Sequence, residues 1–159
     1  MIRVAILTVS DMAAAGERRD SSGEAACEWV RANSWSLVEH RVVPDETGPI
    51  ATQLARWADG GQVDLIVTVG GTGFGPRDIT PEATCTILER PAPGLAESLR
   101  ASGVQSTPFA MLGRGLAGIR GRALIVNLPG AEQAVREGLD ILKQVVPHAV
   151  ELLGGRTEH

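Results

Sequence analysis

Hydrophobic residues along this chain fall in short blocks, and the spacing inside each block assigns it to strand or helix. Ile2–Val9 is an apolar run rich in β-branched residues and reads as a buried strand. Ser21-Ser22-Gly23-Glu24 follows with capping-box spacing between Ser21 and Glu24, and Ala26 and Val30 carry a helical stripe to about Ala32. Ser36–Val43 reads as a second strand, ended by Pro44-Asp45-Glu46. Ile50, Leu54, Trp57 and Ala58 share a helical face that Gly60-Gly61 closes. Val63–Val69 is the most apolar strand. Gly70 to Asp78 is a glycine-rich loop, and Thr80-Pro81-Glu82 starts a helix with Thr80 as its cap, ending near Leu88 or Glu89. Gly94–Ala101 supplies one more short helix. Phe109–Leu112 and Arg122–Asn127 read as strands, and their connection, Gly113–Gly121, is too short for a crossover helix, so an antiparallel pair is expected. Ala131 to Leu153 is a long amphipathic helix that Pro147 should break or kink.

Strands alternating with helices predict a three-layer α/β/α sandwich whose sheet is mostly parallel, with one antiparallel edge hairpin. A length of 159 residues fits a single domain, 1–159. Hydrophobic residues make up 43% and charged residues 21%, which excludes a disordered chain. The net charge of −4 argues against an extended nucleic-acid footprint. No apolar run approaches the roughly 20 residues that span a bilayer, and the N-terminus enters a strand pattern at once, without cleavage-site logic. Cys27 and Cys85 are too few for a disulfide framework and read as buried small hydrophobes, so a reducing cytoplasm is the default location. His40, His148 and His159 lack zinc-ligand spacing, and His148 reads as structural.

In a parallel sheet every strand-to-helix loop emerges at the same edge, where ligands bind. That edge gathers Ser10-Asp11 and the segment to Gly23, then Pro44-Asp45-Glu46, Gly70–Asp78, and Asn127-Leu128-Pro129-Gly130. Nineteen glycines exceed the usual share of about 7%, and they cluster where apolar runs end. Gly70-Gly71-Thr72-Gly73-Phe74-Gly75 is neither a Walker loop nor a dinucleotide fingerprint. Its position between a buried strand and a helix suits N–H groups that cradle phosphate. Asp45 and Asp78 end two of the converging loops, and such a pair can hold Mg²⁺, which takes carboxylates, water and substrate phosphates. Each read alone is equally a loop aspartate capping a helix. Arg77, Arg114, Arg120 and Arg122 are sources of positive charge, at least two of them as plain surface groups. With no Tyr and 3% aromatic residues, backbone and aliphatic groups must hold any ring.

The stretch Gly70-Gly71-Thr72-Gly73-Phe74-Gly75-Pro76-Arg77-Asp78-Ile79-Thr80-Pro81-Glu82-Ala83-Thr84 resembles the molybdenum-cofactor biosynthesis family. The resemblance is to its molybdopterin adenylyltransferases and to the G domains of plant and animal cofactor proteins, gephyrin among them. Val9-Ser10-Asp11, Asp20-Ser21-Ser22-Gly23, Val43-Pro44-Asp45-Glu46, Thr107–Leu112, Gly118–Gly121 and Asn127–Gly130 extend it in family order over about residues 2–153. The resemblance implies a molybdopterin-binding-like fold, assembly as a homotrimer, and transfer of AMP from Mg-ATP to the terminal phosphate of molybdopterin. The product would then pass to a molybdenum insertase. It assigns Asp45 and Asp78 to catalysis and Mg²⁺. It assigns Gly70, Gly71, Thr72 and Gly73 to phosphate. Ser10, Asp11, Asp20, Arg77, Thr80, Asn127, Pro129 and Gly130 would line the nucleotide and pterin cleft. Relatives often carry Ser at the position of Gly113, and polar residues where this chain has Met12 and Ala14. Gly113 and Ala14 favour one alternative, a trimeric molybdopterin carrier or scaffold with weak or no transfer; a nucleotide-cleaving relative of the same fold is a separate alternative.

Overall fold

A computed structural model describes residues 1–156. Six strands form one sheet in the order β2-β1-β3-β6-β5-β4, with β1 Arg3–Val9, β2 Ser36–Val43, β3 Leu65–Val69, β4 Arg90–Pro91, β5 Ala117–Arg120 and β6 Ala123–Leu128. The first four strands in that order are parallel, and β5 runs antiparallel to both of its neighbours, β6 and β4. The helices are α1 Asp11–Ala14, α2 Ser21–Ala32, α3 Thr47–Asp59, α4 Thr80–Ile87, α5 Pro93–Ser106 and α6 Glu132–Leu153. Alternate residues of each central strand feed two separate cores. Val4, Ile6, Leu65, Val67, Val126 and Leu128 pack with α2 and α6 on one face. Ala5, Leu7, Ile66 and Ile125 pack with α3 and α4 on the other. Both faces of the sheet are therefore buried, which is why every residue of β3 is buried and all but Thr68 are apolar. Among the described residues no helix is long and apolar enough to cross a membrane.

The three-layer sandwich and the antiparallel hairpin are as expected, but the hairpin uses different residues. Phe109–Leu112 is not a strand. It lies in a short 3-10 helix, Pro108–Leu112, started by Pro108 and by the Thr107 hydroxyl accepting from the Phe109 N–H at 3.3 Å. Phe109 is 76% exposed, so it has no core to join as a strand residue would. The strand that pairs with β6 is Ala117–Arg120, and a two-residue turn, Gly121-Arg122, joins them with Gly121 at φ +57°.

Three helix boundaries also differ. Asp20, not Ser21, caps α2, because its carboxylate accepts the Gly23 N–H at 2.9 Å. Thr80 is the first residue of α4 rather than its cap, and its hydroxyl donates to the Gly70 carbonyl at 3.0 Å. Pro147 does not break α6: the helix continues to Leu153 because Val135, Leu139, Leu142 and Val146 bury one stripe in the core. That burial outweighs the loss of one backbone bond. The helix after Pro93 runs on to Ser106, beyond the expected Ala101. Cys27 is buried as expected, but Cys85 lies on the solvent face of α4 and is exposed. His148 is an exposed side chain of α6, 3.8 Å from Glu151. His159 lies outside the described residues.

Candidate active site

The sheet order reverses direction between β1 and β3, since the chain moves outward from β1 to β2 and then returns to the other side of β1. Loops leaving the carboxyl ends of those strands diverge and leave a crevice. A cleft of about 350 Å³ opens there, lined by Thr8, Val9 and Ser10 from β1 and its loop, and by Val69, Gly70 and Gly71 from β3 and its loop. Asp20, Ser21 and Ser22 from the start of α2, the Arg18 and Arg19 pair before it, and Asp45, Asp78 and Gly130 complete the wall. A second, larger cleft of about 590 Å³ adjoins it, lined on one side by Leu99, Gly103, Phe109 and Leu112, on another by Pro129, Ala134 and Ile141. Gly71, Asp78 and Gly130 border both clefts and form the rim between them.

The glycine loop can take this shape only because of its composition. Gly70 and Gly71 have φ of +100° and +69°. A Cβ on Gly71 would lie 2.3 Å from the Thr80 hydroxyl and 3.0 Å from Asp45 Oδ1. The loop then turns back, and Asp78 Oδ2 accepts the Gly75 N–H at 2.9 Å. Arg114 braces it from outside. Its backbone N–H donates to the Thr72 carbonyl, its Nε to the Gly73 carbonyl at 2.8 Å, its Nη2 to the Asp78 carbonyl at 2.7 Å, and its Nη1 to Glu82.

Asp45 and Asp78 line the same small cleft although 33 residues and a strand separate them. Asp45 is stitched to Asp11 reciprocally: each backbone N–H donates to the other's carboxylate, at 2.8 and 3.0 Å. Arg77 adds Nε and Nη2 bonds to Asp11 at 2.6 and 3.0 Å. The Arg77 guanidinium, with the Asp45 N–H, holds the Asp11 carboxyl below its ordinary range. Burial pushes the Asp45 carboxyl up, and the negative charges of Asp11 and Asp78 add to the rise. Two carboxylates that repel each other at one rim gain by sharing a cation.

Among the described residues no cluster of three or more acidic, His or Cys side chains could hold a metal. A site of two carboxylates completed by water and substrate phosphate fits Mg²⁺, which keeps several waters and rarely has an all-protein cage. Asp45 and Asp78 each spend one oxygen on a backbone N–H, and the hydrogen bonds leave the second free.

The other expected site residues divide by what they touch. Ser10 lines the small cleft and caps α1, its hydroxyl accepting from the Ala13 N–H at 3.2 Å. Thr72 and Gly73 line the larger cleft. Asp11 and Arg77 neutralise each other beside the cleft rather than lining it. Thr80 lies beneath the glycine loop, fully buried. Asn127 borders the larger cleft, yet its side chain is wholly engaged inside the protein. Its Nδ2 donates to the Thr68 and Thr84 hydroxyls at 2.9 and 3.0 Å, and its Oδ1 accepts the Leu116 N–H at 3.0 Å.

Of the arginines weighed for charge, Arg120 is engaged with Asp59 and the Ile87 carbonyl, and Arg114 with the loop. Sequence reasoning missed Arg100, whose Nη1 donates to the Gly113 and Gly115 carbonyls at 3.3 and 2.9 Å at the wall of the larger cleft. It placed Ser22 in the first loop but gave it no role; its hydroxyl donates to the Gly130 carbonyl at 2.6 Å and ties α2 to the last loop. Only the run of small polar residues after Asp20 hinted at Ser22. Nothing local marked Arg100.

Residues 5–148 match a family model, MoCF_biosynth, described as a probable molybdopterin binding domain. The chain is 40% identical over 154 residues to the molybdenum cofactor synthesis protein cinnamon of Drosophila melanogaster, covering 96% of this chain and 26% of that protein. It is 38% identical over 156 residues to a molybdopterin adenylyltransferase of Helicobacter pylori, covering 97% of this chain and 89% of that protein. The chain thus spans about a quarter of the fly protein and nearly all of the bacterial one. Among solved structures it resembles the molybdopterin biosynthesis enzyme MoaB of Thermus thermophilus, with a TM-score of 0.91, 48% identity and 98% of each chain covered.

Proposed function

This chain belongs to the MoCF_biosynth family of molybdopterin binding domains, and from that premise we propose that it is a molybdopterin adenylyltransferase of molybdenum-cofactor biosynthesis. It joins AMP from Mg-ATP to the terminal phosphate of molybdopterin. A phosphate oxygen of molybdopterin attacks the α-phosphorus of ATP, a P–O bond forms there, the bond to the bridging oxygen breaks, and pyrophosphate leaves. The observation that carries this reading is the shared rim. A small polar cleft with room for a polyphosphate meets a larger apolar one with room for a ring system, and Asp78 borders both.

Mg²⁺ held between Asp45 and Asp78 would neutralise charge on the phosphates as they meet. The chain's own groups position the two anions. The Gly70 N–H is spent on the Leu128 carbonyl, so backbone at Gly71–Gly73 offers the N–H donors that need no reorganisation, Arg114 keeps that loop fixed, and the Asp11–Arg77 pair holds Asp45 in place. No Ser-His or Cys-His nucleophile is required, because nucleotidyl transfer proceeds by positioning and charge stabilisation. Assembly as a homotrimer belongs to the same reading. Phe109, Met111 and Leu112, exposed by 76, 65 and 45%, offer apolar surface for a second copy. Hand-over of the adenylylated product to a molybdenum insertase in the cytoplasm completes it.

The test is incubation with molybdopterin, ATP and Mg²⁺, followed by detection of the adenylylated pterin and pyrophosphate. Asp78→Ala should abolish transfer while its circular dichroism stays that of the wild type. Full transfer by that variant would overturn the mechanism. Tight molybdopterin binding with no pyrophosphate release favours the carrier reading instead, which Gly113, Met12 and Ala14 support by removing possible polar contacts.

A further inference from the structure

Three carboxylates line the smaller cleft: Asp20, Asp45 and Asp78. Two of them suit a cation, which leaves Asp20 as a negative charge facing an anionic substrate. Asp20 does not point freely into that space. Its Oδ1 accepts the Gly23 N–H, while its Oδ2 accepts the Thr8 hydroxyl at 2.6 Å and lies 3.0 Å from His40 Nε2. The same His40 nitrogen is 3.0 Å from the Thr8 oxygen. Gly23 makes this packing possible, since a Cβ there would lie 2.1 Å from Asp20 Oδ2 and 2.3 Å from Thr8 Oγ1.

His40 reaches the cluster through an irregularity of β2. The pairing with β1 skips Val38, so that Val4 faces Leu37 and Ala5 faces Glu39. The extra residue moves His40 opposite Ile6, on the α2 side of the sheet, beside Thr8 and Cys27. Contact with Asp20, aided by Cys27, raises the imidazole to about 9, so it carries a proton at neutral pH. Burial alone would push the Asp20 carboxyl up, but bonds from His40, Thr8 and the Gly23 N–H reverse that and lower it.

We propose that His40 is a positioning residue for the nucleotide, which acts through Asp20: it cancels and turns inward the one cleft carboxylate that takes no share of the cation. Arg19 on the same wall is already paired with Glu24, so Arg18 is the cation there that then meets the polyphosphate without Asp20 competing for it. The inference rests on the proposed reaction only in taking the anion to be the polyphosphate of ATP.

Its signature is a sign pattern that a merely structural role cannot produce. His40→Gln leaves Asp20 charged and uncompensated, so Mg-ATP should bind about tenfold more weakly by calorimetry at pH 7.5. Asp20→Asn removes the charge, keeps an acceptor for the Gly23 N–H, and should bind within about threefold of the wild type. The double variant Asp20→Asn/His40→Gln is neutral throughout and should recover to that same range. A cluster that only supports the fold would instead make the double variant the worst of the three.

Circular dichroism and the Tm of each variant establish that it is folded, and if His40→Gln does not fold, Asp20→Asn alone decides, because loss of its Mg-ATP binding overturns the role. The proposal also falls if His40→Gln binds as the wild type does, if the double variant is no better than His40→Gln, or if the wild type does not bind Mg-ATP. A wild type that shows the full binding pattern but transfers no AMP refutes the proposed reaction and leaves the role of His40 standing.

Discussion

Replacing Gly71 with Ala tests whether the glycine loop is shaped by steric necessity. Gly71 has φ +69°, where an L-residue costs about 1–2 kcal/mol. The added Cβ would also sit 2.3 Å from Thr80 Oγ1, so the hydroxyl must leave its bond to the Gly70 carbonyl, for about 1 kcal/mol more. Lower entropy of the unfolded chain returns about 0.5 kcal/mol. The expected net loss is about 1.5–2.5 kcal/mol, or about 3–10 °C in Tm for a domain of this size. Urea denaturation with an unchanged m-value measures it. The steric share is separable by a double-mutant cycle with Thr80→Ala. In that background the hydroxyl is gone, the nearest remaining Thr80 atom lies 3.3 Å away, and the cost of Gly71→Ala should fall by about 1 kcal/mol. Transfer activity should not recover with it, because the new methyl still lies 3.0 Å from Asp45 Oδ1 and crowds that carboxylate. A loss below about 0.5 kcal/mol, or the same cost in both backgrounds, refutes the steric account.

The other predictions read different parts of the molecule. Arg114→Ala frees the Gly73 and Asp78 carbonyls and should lower kcat/KM for AMP transfer by up to about 100-fold, with Arg114→Lys intermediate because a single ammonium cannot bond both sides of the loop. Equal activity of all three proteins would exclude the brace. Asn127→Ala leaves the Thr68 hydroxyl and the Leu116 N–H without partners, while the Thr84 hydroxyl keeps its bond to the Thr80 carbonyl, at about 3 kcal/mol in all, visible as a drop of about 6–12 °C in a thermal melt; an unchanged melt would count against that network. The His40–Asp20 pair makes stability pH-dependent. His40 rises from 6.5 to about 9 on folding, so its contribution is complete below pH 6.5 and is lost as pH climbs through about 9. Urea unfolding should show a decline of at most about 3 kcal/mol across that window, absent in His40→Gln. Parallel slopes for the two proteins would refute it.

How far the sequence reveals this site depends on the range over which each residue's role is decided. The strands are legible because both faces of the sheet are buried, so hydrophobicity alone marks β1, β3 and β6. The convergence of Asp45 and Asp78 is legible too, because parallel strands leave their loops no other edge. What escapes notice is decided by partners far away in the chain. Phe109–Leu112 carries strand-like residues, yet without a neighbouring strand to pair with, Pro108 and the Thr107 cap set its conformation. His40 sits in a strand whose alternation is disturbed by the skipped Val38, so no period-two reading could place it on the α2 side. Asn127 looks like a cleft residue from its loop, and its three internal partners come from β3, α4 and the segment before β5. The same reasoning orders the site. Loop residues that end strands stand at the rim between the clefts, and the polar residues one step back, Thr8, His40, Thr80 and Asn127, fix where that rim lies. A search for further determinants of activity should therefore start with buried polar side chains on the last residues of β1, β2 and β6, and only then move to the surface of the clefts.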